Sequence, residues 1–200
     1  MTSDDMIDEV EEVETTLPRA LVILAEGAEE SEAVIIVDLL RRGGIETVLA
    51  GLNGDGPVLL SRKVRVIPDA ALASVTGTFN ILILPGGAEG ARRLATSELV
   101  GDYLKTFHRE GRLVAAICAA PLAFQAHQVF AGRAMTCHPS VASRIAMFGK
   151  LDQRSPVVED ANLITSQGPG TSFLFALTIV RRVMGETRAA EVERGLVLPR

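Results

Sequence analysis

The stretch "RLVAAICAAPLAF" (112–124) places a thiol, Cys118, at the end of an apolar run and three residues before Pro121. A short, almost continuously apolar run reads as a buried strand, and the residues after it read as the start of a helix. A sulfur held at such a turn meets free backbone N–H groups and the positive end of the helix. Both favour an anion and lower a thiol pKa. The arrangement is that of a nucleophile elbow with sulfur in place of the serine oxygen, and Ala119 and Ala120 are small enough to keep the turn tight. The alternative is that Cys118 is a small hydrophobe packed in the core. Position alone leaves both readings open.

Other residues could assist a thiolate. Gly86 and Gly87 end the run "FNILILPGG". Glycine permits close backbone approach, and the Gly87 N–H beside that of Ala119 would face a developing oxyanion; the plainer reading is a tight turn. No Gly-Lys-Ser/Thr follows, which excludes a phosphate loop. Among Glu29, Glu30 and Glu32, one carboxyl could reach over the strand ends. In a partly apolar pocket it would keep its proton and could donate it to a thiolate, although acids in a first helical turn also suit the helix dipole. His138 is a candidate acid or base, or a structural histidine. His108 and His127 fall on predicted helices and read as solvated. Cys137, one residue before His138 on a short strand, faces the opposite way and reads as packing.

These candidates depend on the elements that carry them. Apolar runs at 19–27, 45–52, 81–87 and 112–118 predict buried strands, with a further strand at 162–166 in a hairpin with 157–160. Helices are expected from about Ser31 to Gly43, Ser97 to Arg109, Cys118 to Gln128, in "VASRIAMFG", from Thr171 or Ser172 as cap to Gly185, and over 186–194. Strands alternating with helices predict a doubly wound, mostly parallel sheet covered on both faces, with ligands beyond the strands' carboxyl ends. Glu29 to Glu32, Gly86–Gly87, Cys118–Ala119 and His138 converge there. The helix 31–43 is apolar on more than one face, and a subunit interface is one way to bury it.

Composition narrows the function classes. Residues 1–18 hold seven of the 25 acids and no base, so the net charge of −5 becomes +2 without them. This acidic leader is expected to be disordered and to lack the basic start and apolar core of a signal peptide, leaving one domain over 19–200. No apolar run reaches the ~18 residues of a membrane span. Basic blocks interleaved with aromatics are absent, which argues against nucleic acid. Two distant cysteines do not make a zinc site, and reduced thiols in a cytoplasmic setting are expected.

The segments "RALVILAEGAEESEAVIIVDLLRRGGI", "ILPGGAEGA", "VAAICAAPLAF" and "ITSQGPGTSFLFALTIV" closely resemble the DJ-1/PfpI superfamily, and within it the parkinsonism-associated branch. The resemblance runs from about Arg19 to Leu198. It implies a flavodoxin-like three-layer α/β sandwich and a homodimer built on the helix after the first strand. It further implies Cys118 as nucleophile and oxidation-sensitive thiol, Glu32 as its protonated carboxyl partner, and His138 as the nearby histidine. Gly87 and Ala119 would be the oxyanion donors, and Arg42 and Arg62 would lie near the dimer interface. Neither a metal nor another cofactor is implied. The expected activity is that of a glyoxalase or deglycase acting on small 2-oxoaldehydes such as methylglyoxal. The alternatives are a redox sensor or chaperone working through oxidation of Cys118 and, more weakly, a cysteine peptidase or amidotransferase. Ala119 stands where peptidase-like relatives have a histidine, which counts against the last. Ala120 replaces a usual glycine, so its methyl is expected to narrow the pocket floor, and Gln167 replaces a frequent basic residue before "GPG".

Overall fold

The run 19–24 has no polar residue after Arg19, and it forms a strand buried on both faces. In the computed structural model, which describes residues 17–198, it is the centre of the molecule. Of the predicted acidic leader, only Leu17 and Pro18 fall among the described residues; Pro18 already joins the fold, its carbonyl accepting the Glu46 N–H at 3.0 Å. In chain order the elements are β1 (Arg19–Leu24), α1 (Glu30–Arg42), β2 (Glu46–Gly51), β3 (Val58–Leu59), β4 (Arg65–Val66), β5 (Ala70–Ala71), β6 (Ile81–Leu84), α2 (Ala88–Thr96) and α3 (Glu98–Arg109). β7 (Leu113–Ile117), α4 (Leu122–His127), β8 (Ala134–Met135), α5 (Ala142–Ala146), β9 (Lys150–Leu151), β10 (Val157–Asp160), β11 (Leu163–Ser166), α6 (Ser172–Met184) and α7 (Glu186–Leu196) follow.

The main sheet runs β10-β11-β7-β6-β1-β2-β5, and every pair is parallel except the β10–β11 hairpin. Successive residues of each strand alternate between two cores, as the pleat requires. Ala20, Val22, Ile83, Ala115 and Ile117 pack towards α1, α6 and α7. Leu21, Ile23, Leu82, Val114 and Ala116 pack towards Leu104 and Phe107 of α3 and Phe124 of α4. The expected three-layer α/β sandwich is therefore present. In register, Leu84 pairs with Ala116 and Ile117 with Ser166. The residues just after β6, β7 and β11 consequently meet at one edge.

Several local expectations are corrected. Helix α2 begins directly after Gly87, in a segment the sequence pattern left without an element. The strand expected up to His138 stops at Met135 and pairs with β9 outside the main sheet, because the Thr136 N–H donates to the Thr165 hydroxyl at 2.8 Å. No side chain caps α6; the Thr171 hydroxyl turns back to the Gly168 carbonyl at 2.9 Å. The two-faced burial of α1 is largely met within one chain, against the sheet and α6, with Val34 left exposed. His127 is not solvated. Its Nε2 lies 3.0 Å from the Leu94 carbonyl, so it ties α4 to α2.

Phe124 anchors α4 behind β7: it is fully buried and meets Phe130 edge-to-face at 5.2 Å. Truncation to Ala removes a ring that the core cannot refill, at a cost of about 3–5 kcal/mol. Urea unfolding of Phe124→Ala is expected to show that loss with an unchanged m-value; a loss under about 1 kcal/mol would contradict the packing described.

Candidate active site

β7 delivers Cys118 to the sheet edge in a left-handed conformation, φ 64°. A non-glycine residue holds such a backbone only where its surroundings over-determine it. Two bonds do so: the Cys118 N–H donates to the Ser166 carbonyl at 2.9 Å, and the Cys118 carbonyl accepts the His138 N–H at 2.8 Å. The chain then folds through tight turns, Ala120 N–H to Ile117 carbonyl at 3.0 Å and Leu122 N–H to Ala119 carbonyl at 3.1 Å, into α4. The elbow expected from the sequence is there. The short helix α4 starts only at Leu122, however, so local N–H groups rather than a helix dipole face the sulfur.

Gly86 keeps open the space in which the carboxyl and the thiol meet. A Cβ at Gly86 would stand 2.5 Å from the Cys118 Cβ and 2.8 Å from Glu32 Oε2. Its N–H donates to that same Oε2 at 2.7 Å. Gly87 has φ 85°, and a Cβ there would strike the Gly27 carbonyl at 2.5 Å. Gly86 is needed for space, and Gly87 for space and conformation alike.

Glu32 projects from the first turn of α1 and is fully buried. Its Oε1 has no N–H or O–H partner, and the Cys118 thiol is the group left to share a proton with the carboxyl. Burial raises the Glu32 pKa to about 7, with the Glu29 charge adding to it, against the hydrogen bonds from Gly86 and Cys118. The thiol is pushed up to about 12, first by burial and then by the Glu32 charge. The neighbouring N–H groups of Gly87 and Ala119 act the other way, favouring the thiolate.

The expectation that the turn alone would lower the thiol pKa is therefore reversed. The two groups titrate as a pair. Near neutrality the pair gives up one proton, and the sulfur is anionic when the carboxyl holds the other.

His138 meets Cys118 through its backbone. Its ring Nδ1 lies 2.8 Å from the Ser140 hydroxyl and 3.2 Å from the Ser140 amide nitrogen. Glu29 and Glu30 are not at the sulfur; both carboxylates bind the Ser61 hydroxyl, at 2.9 and 2.7 Å. Arg42 is exposed and pairs with Asp38 on its own helix at 2.9 Å. Arg62 donates its backbone N–H to Glu30 and lines a cavity of about 450 Å³ beside the site, with Gly27, Ser61, Ala88 and Arg93. Cys137 is fully buried in the other core and packs there.

Two apparent departures from the family pattern have structural reasons. Ala120 lies in the core on the far side of the sheet from Cys118, so its methyl fills that core and does not narrow the site. The Gln167 amide donates to the carbonyls of Gln153 at 2.9 Å and Ser155 at 3.1 Å, closing the loop beside β11. Ser166, which fixes the elbow through its carbonyl, escaped sequence reasoning because a backbone acceptor leaves no mark in residue type.

Comparison with known proteins finds relatives in sequence and in overall fold. The DJ-1/PfpI family model matches residues 8–182, so it extends into the acidic segment. The Parkinson disease protein 7 homolog of Danio rerio is 48% identical over 186 residues, covering 90% of this chain and 97% of the relative. The glutathione-independent glyoxalase DJR-1.2 of Caenorhabditis elegans is 39% identical over 181 residues, covering 90% and 96%. The crystal structure of Drosophila melanogaster DJ-1beta superposes with a TM-score of 0.90 at 43% identity, covering 92% of this chain and all of that one.

The raised Glu32 pKa makes a stability prediction. The folded state holds the Glu32 proton more tightly than the unfolded chain, so this stabilisation is full below about 4.5 and is lost as pH rises through about 7. Glu32→Gln lacks the titration. The stability of wild type relative to Glu32→Gln is expected to fall by on the order of 3 kcal/mol between pH 4 and 8. Parallel pH curves in urea would show that the carboxyl is not held protonated.

Proposed function

The chain belongs to the DJ-1/PfpI family, and from that premise we propose that it is a glyoxalase that converts small 2-oxoaldehydes to 2-hydroxy acids without glutathione or metal. The observation that carries this reading is the buried Glu32 carboxyl meeting the left-handed Cys118 thiol across the space that Gly86 leaves open. The name of the C. elegans relative points to the same chemistry.

With the proton on Glu32, the Cys118 sulfur attacks the aldehyde carbon of methylglyoxal and a C–S bond forms. The carbonyl oxygen takes the Glu32 proton, giving a hemithioacetal and leaving a carboxylate. That carboxylate moves the proton from the former aldehyde carbon to the neighbouring one, while the hydroxyl proton passes to the former ketone oxygen, which yields a thioester of lactic acid. Hydrolysis of the C–S bond by water releases lactate and restores the thiol. The N–H groups of Gly87 and Ala119 stabilise the oxygen as it gains charge. His138 assists from the loop that binds the Cys118 carbonyl. Repair of glycated protein would extend the same thiol chemistry to the hemiaminal or hemithioacetal that such an aldehyde forms with a protein amine or thiol. Homodimerisation through α1, with Arg42 and Arg62 near the contact, belongs to this proposal, and the exposed Val34 on α1 and Leu174 on α6 support it.

A second reading is favoured by one feature: two N–H groups aimed at the sulfur would equally hold the oxygens of a sulfinate, as in a redox sensor.

Cys118→Ser is expected to abolish lactate formation from methylglyoxal with unchanged circular dichroism, and Glu32→Gln to lower kcat about 10²–10⁴-fold. Retention of most activity in Cys118→Ser would overturn the glyoxalase reading. Negligible turnover in wild type, together with a stable two-oxygen adduct after mild peroxide, would establish the sensor instead.

A further inference from the structure

Ser140 is adjacent to the proposed machinery but has no part in it so far. It follows Pro139 in the short 3-10 turn that His138 opens, and it is exposed. Both of its polar groups converge on one ring nitrogen. The backbone N–H donates to His138 Nδ1 at 3.2 Å, and the hydroxyl oxygen lies 2.8 Å from the same atom. The amide favours a lone pair on that nitrogen, because a backbone N–H has no acceptor role, and the hydroxyl supplies a second donor that completes the lock. An Nδ1–H would direct one donor against another. Nδ1 must therefore present its lone pair, and in the neutral ring the proton sits on Nε2. On the neighbouring edge, a Cβ at Gly168 would come within 3.4 Å of His138 Cδ2, so the backbone of that loop closes over the ring. Among the described residues, Nε2 has no protein partner.

We infer that Ser140 is a positioning residue that locks His138 in the Nε2–H tautomer, so that the histidine serves the site as a hydrogen-bond donor and not as a base. This rests on the glyoxalase reading and divides its labour. Proton abstraction at carbon falls to Glu32 alone, since a ring already carrying a proton on Nε2 has no free lone pair there. With Nε2 unpartnered among the described residues, its N–H would be free to donate to a substrate oxygen, either the ketone or the hydroxyl of the hemithioacetal. No proton passes through His138, and the atom balance of the reaction is unchanged.

The tautomer can be read without turnover, which separates this inference from the function it refines. Long-range ¹H–¹⁵N correlation spectra of histidine-labelled wild type, recorded where the rings are neutral, are expected to show His138 as Nε2–H. In Ser140→Ala one of the two contacts to Nδ1 is lost; the His138 signals should shift towards a tautomer mixture, and kcat/KM for methylglyoxal should fall several-fold. Ser140→Thr keeps both groups and should restore the signals and the rate. An Nδ1–H or mixed tautomer in wild type would overturn the inference. So would a Ser140→Ala protein with wild-type signals and a wild-type rate. If no variant turns over methylglyoxal yet His138 is Nε2–H and responds to Ser140, the glyoxalase reading falls and the tautomer lock stands.

Discussion

Two acidic groups buried side by side cannot both ionise cheaply, and the site is organised around that constraint. Glu32 and Cys118 are each raised by burial, and the negative charge of the carboxyl raises the thiol further. Loss of one proton near neutrality is supported by the Gly86 N–H on the carboxyl and by the Gly87 and Ala119 N–H groups on the sulfur. Loss of the second would place two charges together in a medium that screens them poorly. The pair is thus held at one shared proton over a wide pH range. The backbone donors act on both partners, the Gly86 N–H favouring the carboxylate and the Gly87 and Ala119 N–H groups favouring the thiolate. The higher thiol pKa leaves the remaining proton mainly on the sulfur, so the thiolate beside a protonated Glu32 is the minor form.

This pairing requires the fold to bring α1 and the ends of β6 and β7 within hydrogen-bond distance. The parallel register does so, because it aligns Leu84 with Ala116 and Ile117 with Ser166. Gly86 then passes between thiol and carboxylate with no side chain to separate them, and Ser166 and the His138 backbone hold Cys118 in its left-handed conformation. Such a conformation costs of order 1–3 kcal/mol, which two large apolar cores on either side of the sheet readily offset.

Much of this was legible in the sequence. The apolar runs at 19–27, 81–87 and 112–118 read as buried strands, and Cys118 at the end of one of them marked the elbow. What escaped has identifiable causes. Helix α2 was hidden by Gly90 inside "AEGARRLAT", a residue that weakens a helical pattern; it is there because a Cβ would meet Ala28 Cα at 2.8 Å. His127 read as solvated because only the fold shows Gly101 leaving room for its ring, where a Cβ would touch Nδ1 at 2.6 Å. The direction of the Cys118 pKa was missed for a different reason. The turn's N–H groups follow from local pattern, whereas the larger opposing effect, the depth of burial beside a second acid, exists only once both cores have closed.

The same burial bears on why one thiol supports two functional readings. Cys118 is only 8% exposed, so a small, unhindered electrophile is favoured whether it is an aldehyde or a peroxide. The two outcomes then differ in what the pair does next. In the proposed glyoxalase cycle Glu32 gives up its proton and recovers one, and hydrolysis returns the sulfur to its starting state. An oxidised sulfur offers no carbon-bound proton to move and no bond for water to cleave. Its added oxygens would instead meet the N–H groups of Gly87 and Ala119 and, when protonated, the Glu32 carboxyl. The donors that stabilise a passing oxyanion would then hold a permanent one. If the proposed function holds, turnover and sensing would be two fates of the same thiolate, and the electrophile that arrives first would select between them.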